Sequence, residues 1–183
     1  MEVKSLPIPD VVILTPRKFA DARGFFSETY NRDTYRAAGV DVQFVQDNHS
    51  RSERAGTLRG LHFQSPPHAQ AKLVRVLRGR ILDVAVDLRK SSPTYGKHVK
   101  YVLCGDEGSQ IFIPEGFAHG FLTLEPETEV AYKTSEFYAP SHDLGLPWDD
   151  DQLSIDWGWA GEVYLSEKDK HHPAFTRFRS PFP

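Results

Sequence analysis

Leu58-Arg59-Gly60-Leu61-His62-Phe63-Gln64 is the stretch on which the reading of this chain turns. It sets a cation and an imidazole three residues apart inside an apolar run, directly after the polar, turn-rich segment 51–57. Along a strand, side chains alternate between faces. Strict alternation groups His62 with Leu58 and Gly60, and sends Arg59 to the opposite face. For Arg59 and His62 to meet one ligand the strand must bulge, and Gly60 is the position that tolerates it. Downstream, Gly108-x5-Pro114-x-Gly116-x2-His119 supplies a second histidine. A neutral imidazole with an intrinsic pKa of about 6.5 suits proton abstraction near neutral pH. His62 is therefore read as a catalytic base.

The 183 residues fit one domain, 1–183, large enough to bury its own core. An apolar fraction of 39% and an aromatic fraction of 12% are those of a globular protein. The net charge of −3, without a basic block, gives no nucleic-acid footprint. Cys104 stands alone, which rules out an intrachain disulfide and a thiolate cluster and suits a reducing compartment. The first residues carry Glu2, Pro7 and Pro9 and no apolar signal core. No apolar run approaches the roughly 20 residues of a membrane helix. The expectation is a cytoplasmic protein with no membrane partner.

Val11–Thr15 reads as an edge or exchanged strand. Asp21 and Gly24 mark a turn, with Arg23 and Glu28 flanking Phe25 and Phe26; a surface turn over a buried aromatic pair is one account of this segment. Asn31–Ala38 reads as a short helix ended by Gly39. In Phe44–Ser50 the amides of Gln46 and Asn48 either read a base or sugar, or cap turns. Lys72–Leu77 and Ile81–Leu88 read as strands joined tightly through Gly79. Lys72 shares a face with Val74 and Val76, so its ammonium either snorkels or enters a polar pocket. Leu82, Val84, Val86 and Leu88 share one face, opposite Asp83 and Asp87. Further short strands fall at 99–103, 110–113, 120–124 and 129–134, a spacing typical of a sandwich or barrel. Trp148, Trp157 and Trp159 belong to irregular packing over it. Ser166 opens a short helix, and the tail from His171 is expected to be loosely ordered.

The Gly108–His119 spacing matches the second signature of the cupin superfamily, with Thr123 at its usual Asn. That likeness implies an all-β, cupin-type barrel (jelly roll) with a few short peripheral helices. Metal-binding cupins use His-x-His, a Glu and the later His. Gln64 replaces the second of these and Gln70 the third, and neutral amides are poor ligands for a transition metal. No metal and no cofactor are expected. His49, His68, His98, His142, His171 and His172 lack supporting spacing and read as surface residues. A metal-free pocket with His, Lys, Tyr and Arg suits proton abstraction beside a carbonyl. An ammonium can hold the enolate, a tyrosine can return a proton, and a carboxylate such as Asp169 can orient His62.

Eight motifs in order then resemble the dTDP-4-dehydrorhamnose 3,5-epimerase family, cofactor-independent sugar-nucleotide epimerases of dTDP-L-rhamnose synthesis. They are residues 21–28 (DARGFFSE), 44–48 (FVQDN), 58–62 (LRGLH), 69–74 (AQAKLV), 83–89 (DVAVDLR), 113–121 (IPEGFAHGF), 132–134 (YKT) and 165–169 (LSEKD). The resemblance implies His62 as base in a dyad with Asp169, Tyr132 as acid on the opposite face of the sugar, and Lys72 as enolate stabiliser. It implies Arg59, His119, Gln46, Asn48, Asp143 and Lys168 as ligands of the dTDP-sugar, and Tyr138 as the ring stacking on thymine. Arg23, Phe26 and Glu28 fall in the region that crosses a homodimer interface by N-terminal strand exchange. Two departures stand out: Asp143-Leu144 where the family has glutamate and arginine, and Gly158 where it has proline. They leave open a mono-epimerase acting at C3 or C5 alone. A metal-dependent cupin oxygenase is the alternative from another class.

Overall fold

The computed structural model describes residues 1–183. Its strands are β1 (Glu2–Ser5), β2 (Val12–Thr15), β3 (Phe19–Asp21), β4 (Gly24–Phe26), β5 (Gln46–Ser52), β6 (Leu58–Gln64) and β7 (Lys72–Arg78), followed by β8 (Arg80–Asp87), β9 (His98–Cys104), β10 (Gln110–Ile113), β11 (Phe117–Thr123), β12 (Thr128–Thr134) and β13 (Asp143–Gly145). One α-helix, α1 (Arg32–Ala37), and three short 3-10 turns complete it. The chain is mostly β, as expected. Two antiparallel sheets, ordered β1-β2-β10-β7-β12-β5 and β13-β6-β11-β8-β9, carry the body, and β3-β4 forms a separate hairpin. The tight connection at Gly79 joins β7 of the first sheet to β8 of the second, so the neighbouring strands are not a hairpin pair.

The alternation of apolar residues dictates which faces meet. Val74 and Val76 of β7, Ile111 and Ile113 of β10, and Val130 of β12 pack against Ile81 and Ala85 of β8 and Phe117 and Phe121 of β11. This cluster fills the space between the sheets. Lys72 does share the face of Val74 and Val76, and it is buried. On the outer side of the first sheet, α1 lays Tyr35 over Leu73 and Phe112. Six residues are too few to hold a helix by hydrogen bonding alone. Packing and the Asn31 cap, whose side chain accepts from the Asp33 and Thr34 amides, hold it.

Three expectations need correction. The 11–15 segment is not an edge: β2 pairs on both sides, with β1 and β10, and β1 takes the edge. Phe25 and Phe26 are not a buried pair, being 64% and 70% exposed on the β3-β4 hairpin. Nor is the tail loose. β8 is buried on both faces, and its apolar outer face, with Leu58, Leu61 and Phe63 of β6, needs a cover. Trp157, Phe178 and Phe182 supply it. Each aliphatic side chain kept dry contributes about 1.5–3 kcal/mol, which offsets freedom the tail gives up.

The anticipated break in β6 is present. His119 lies opposite His62 and Phe121 opposite Arg59, so Gly60 and Leu61 together face Gly120 alone. This bulge reverses the alternation and turns Arg59 and His62 to the same side. Gly60 has φ +121°, and a Cβ there would lie 2.5 Å from the Gly120 Cα. Gly60→Ala is therefore expected to cost on the order of 2–4 kcal/mol from backbone strain and overpacking, lowering Tm by about 5–10 °C. Thermal unfolding checks this; an unchanged Tm would show that the two backbones are not in contact.

Candidate active site

At one end of the inter-sheet space the aliphatic side chains give way to polar ones. The first sheet contributes Lys72 from β7, Tyr132 from β12, and Gln46 and Asn48 from β5. Register explains their grouping: Tyr132 pairs with Asn48 and Val74, and Thr134 with Gln46 and Lys72. The second sheet contributes Arg59 and His62 from β6 and His119 from β11. The cleft has two lobes, of about 410 and 320 Å3, and His62, Lys72 and Tyr132 line both.

Asp169 stands behind His62 on a 3-10 turn (Asp169–His171), with its amide bonded to Ser166. The Nε2 of His62 is 2.5 Å from Asp169 Oδ1. Burial alone raises a carboxylate's pKa, but the His172 imidazole beside it and the hydrogen bond from His62 overcome that and hold Asp169 below the usual range. An ionised Asp169 accepts from Nε2–H and leaves the lone pair on Nδ1, which makes no hydrogen bond within the protein. The Tyr132 hydroxyl is likewise unbonded, and burial raises its pKa, so it carries its proton at neutral pH. Burial pulls Lys72 down to about 8, against the opposing pull of Asp143 and Asp83. Its Nζ lies 3.4 Å from the His62 carbonyl. Arg59 is anchored by Ser52 Oγ and the Arg51 carbonyl and has no carboxylate partner. His119 is 2.8 Å from Asp83 Oδ2; burial lowers its pKa despite Asp83.

In the smaller lobe, Asp143 accepts from the Tyr138 hydroxyl at 3.0 Å and pairs with Lys168. The Tyr138 amide donates to Gln46, whose own amide bonds Asn48. The Tyr138 ring is 58% exposed, a flat apolar face at the rim. The positions a metal cupin would use do not fit a metal. Gln64 spends its amide nitrogen on the carbonyls of His68 and Phe137 and its oxygen on the Ala139 amide. Gln70 donates to the Glu136 carbonyl. Both glutamines fasten the 136–139 segment that presents Tyr138.

Residues 5–177 match the dTDP-4-dehydrorhamnose 3,5-epimerase family. The chain belongs to that family. It is 49% identical to the dTDP-4-dehydrorhamnose 3,5-epimerase of Sinorhizobium fredii over 182 residues, covering 100% of this chain and 93% of that one. It is similar to the crystal structure of the Bacillus anthracis dTDP-4-dehydrorhamnose 3,5-epimerase with TDP and PPi bound, with TM-score 0.92, 48% identity, and coverage of 95% and 99%. The Legionella pneumophila dTDP-6-deoxy-D-glucose-3,5-epimerase, in complex with dTDP-4-keto-L-rhamnose, gives TM-score 0.95 at 40% identity, covering 100% of this chain and 97% of that one.

Eleven of the residues that the epimerase resemblance singled out converge here: His62, Asp169, Lys72, Tyr132, Arg59, His119, Gln46, Asn48, Tyr138, Asp143 and Lys168. Arg23, Phe26 and Glu28 do not. They lie on or beside the β3-β4 hairpin, where Arg23 pairs with Asp21 and Glu28 accepts from Asn31. Two neighbours were missed. Asp83 shares the inward face of β8 with Ile81 and Ala85, and parity already placed it opposite the aliphatic row. His172, expected at the surface, has a side chain only 8% exposed, beside Asp169. His68 and His142 are also half-buried, edge to face with each other near Ser65. His49 and His171 are exposed as expected.

The buried lysine gives a pH signature. Its folded pKa of about 8 lies below the ordinary 10.5. The charge therefore costs stability below pH 8, and that cost is relieved between the two values, where the folded protein has released its proton and the unfolded chain has not. NMR titration of the Lys72 side chain is expected to give a midpoint near 8 in the free protein; a midpoint at 10.5 would mean the amine reaches solvent.

Proposed function

We propose that this chain epimerises C3 and C5 of dTDP-4-dehydro-6-deoxy-D-glucose, giving dTDP-4-dehydro-L-rhamnose, as a step in dTDP-L-rhamnose biosynthesis. The observation that carries this reading is the placement of His62 and Tyr132 on opposite sheets, facing one cleft. A ketosugar lying between them presents one face to a base and the other to an acid, which is the geometry that inversion needs.

His62 Nδ1 removes the proton beside the C4 carbonyl, and Asp169 stabilises the imidazolium that results. The C–H electron pair moves to the carbonyl oxygen as an enolate, held by the Lys72 ammonium. In a site that excludes water such stabilisation is worth about 3–4 kcal/mol. The enolate carbon takes the Tyr132 proton on its other face, which inverts the centre. Solvent restores both groups, and the cycle repeats at the second carbon. Arg59, with no carboxylate partner, suits the diphosphate; His119 completes that wall. Gln46, Asn48, Asp143 and Lys168 order the smaller lobe, and Tyr138 offers a ring for the base to stack on. No step calls for a metal or other cofactor.

The two sheets are read here as the halves of a cupin-type jelly roll within a single domain. The exposed β3-β4 hairpin supports a homodimer in which Arg23, Phe26 and Glu28 reach the partner's cleft: two bare phenylalanines on a projecting hairpin need a cover. The lone Cys104 accords with the reducing cytoplasm.

Incubation with dTDP-4-dehydro-6-deoxy-D-glucose and NMR assignment of the product tests the reaction. Inversion at both carbons is expected; inversion at one would make the chain a mono-epimerase, and no inversion would remove the proposal. Lys72→Met is expected to lower kcat by about 10²–10³-fold, the loss seen when one oxyanion donor is removed, with a smaller change in KM. Equal kcat values for the variant and the parent would exclude Lys72 as the enolate's partner.

A further inference from the structure

Asp169 carries a second histidine. The Nε2 of His172 lies 3.5 Å from the same Oδ1 that His62 approaches to 2.5 Å. That separation is too long for a good hydrogen bond, and His172 Nε2 is buried with no partner in the protein. The two imidazoles stand edge to face, with ring centroids 5.8 Å apart. The His172 ring is wedged against β13: a Cβ at Gly145 would lie 2.4 Å from it. Gly145 itself pairs with His62, so the ring cannot leave without disturbing the strand beside the base.

We propose that His62, Asp169 and His172 form a transition-metal site suited to Zn(II), and that filling it switches off the base. The three donor atoms lie within 4.8 Å of one another. Tetrahedral zinc with ligand bonds of about 2.1 Å sets its donors about 3.4 Å apart. The His172–Asp169 pair already has that spacing; the His62–Asp169 contact must open, and the two imidazole nitrogens, within 4.8 Å, must settle to the same spacing. The backbone supplies the reason. In a 3-10 turn, residues i and i+3 eclipse, so Asp169 and His172 project together toward His62. Two imidazoles and one carboxylate leave a fourth position for water. This donor set shares only His62 with the metal positions of cupins: it uses the side of that ring turned toward the C-terminal turn and leaves out His119, Gln64 and Gln70.

The switch rests on the reading of His62 as the base. Zinc replaces the proton on Nε2 with a dication, which drains basicity from Nδ1. It also engages Asp169, which can no longer stabilise an imidazolium. Metal binding and proton abstraction therefore compete for one imidazole and one carboxylate.

Titration of the metal-free protein with Co(II), read by visible absorption and followed by displacement with Zn(II), tests the site without substrate. One tetrahedral Co(II) per chain is expected. The His172→Ala and His172→Gln variants, each first shown by thermal unfolding to be folded, should weaken it by at least about tenfold, the loss that even an outer partner of a ligand causes. Zinc should inhibit turnover reversibly, with a chelator restoring it, and the half-inhibiting concentration should rise by the same factor in those variants. Absence of a stoichiometric tetrahedral spectrum, or one unchanged by both substitutions, would overturn the site. Metal bound with no loss of turnover would overturn the switch and the role of His62 as base, while leaving the site in place.

Discussion

The contact between Gly60 and Gly120 is the constraint on which the site depends. Two backbones approach so closely that neither position has room for a side chain, and the strand gains one residue against its neighbour. Without that extra residue His62 and Arg59 would lie on opposite faces of β6. One would enter the cleft and the other would be driven into the apolar layer beneath the C-terminal segment. A base and a cation for an anionic ligand could not then share a cavity. The consequence is that both positions are closed to any residue with a side chain.

From that point the electrostatics follow from burial. Each sheet brings ionisable groups to the open end of a largely aliphatic interior, and desolvation moves them in useful directions. Tyr132 is kept protonated and His119 is disfavoured as a cation. Burial draws Lys72 down to about 8, while Asp169, with two histidines beside it, is held as an anion. The result is a protonated hydroxyl on one wall and an imidazole backed by a carboxylate on the other. That asymmetry, rather than any single pKa, is what the proposed departure of a proton from one side and return from the other rests on. His172 adds a tension to the arrangement, because a second imidazole beside Asp169 turns the proposed dyad into the proposed chelate.

Much of this was legible in the sequence, for physical reasons. Alternation placed Lys72 with Val74 and Val76, and that face is inward. The parity conflict between Arg59 and His62 called for a bulge at Gly60, since only glycine accepts the required backbone. Asn31 and Gly39 bounded the helix through capping chemistry. What was missed depends on distant partners. The order of the tail follows from the apolar outer face of β8 needing a cover, which the tail's own composition does not reveal. The placement of 11–15 inside a sheet depends on pairing with β10, nearly a hundred residues away. His172 looked ordinary because its neighbours His62 and Gly145 are remote in sequence. The pairing of Asp83 with His119 was within reach, since an aspartate alternating with Ile81 and Ala85 must find a partner when buried.

The central claim is that His62 removes the proton and Tyr132 returns it from the opposite wall. Deuterium wash-in from D2O at C3 and C5 of dTDP-4-dehydro-6-deoxy-D-glucose, compared between His62→Asn and Tyr132→Phe, tests it most directly. The account predicts that Tyr132→Phe still exchanges deuterium into the ring but forms little inverted product, whereas His62→Asn does neither. Exchange that survives in His62→Asn at the parent rate would contradict it, and would place the base elsewhere in the cleft.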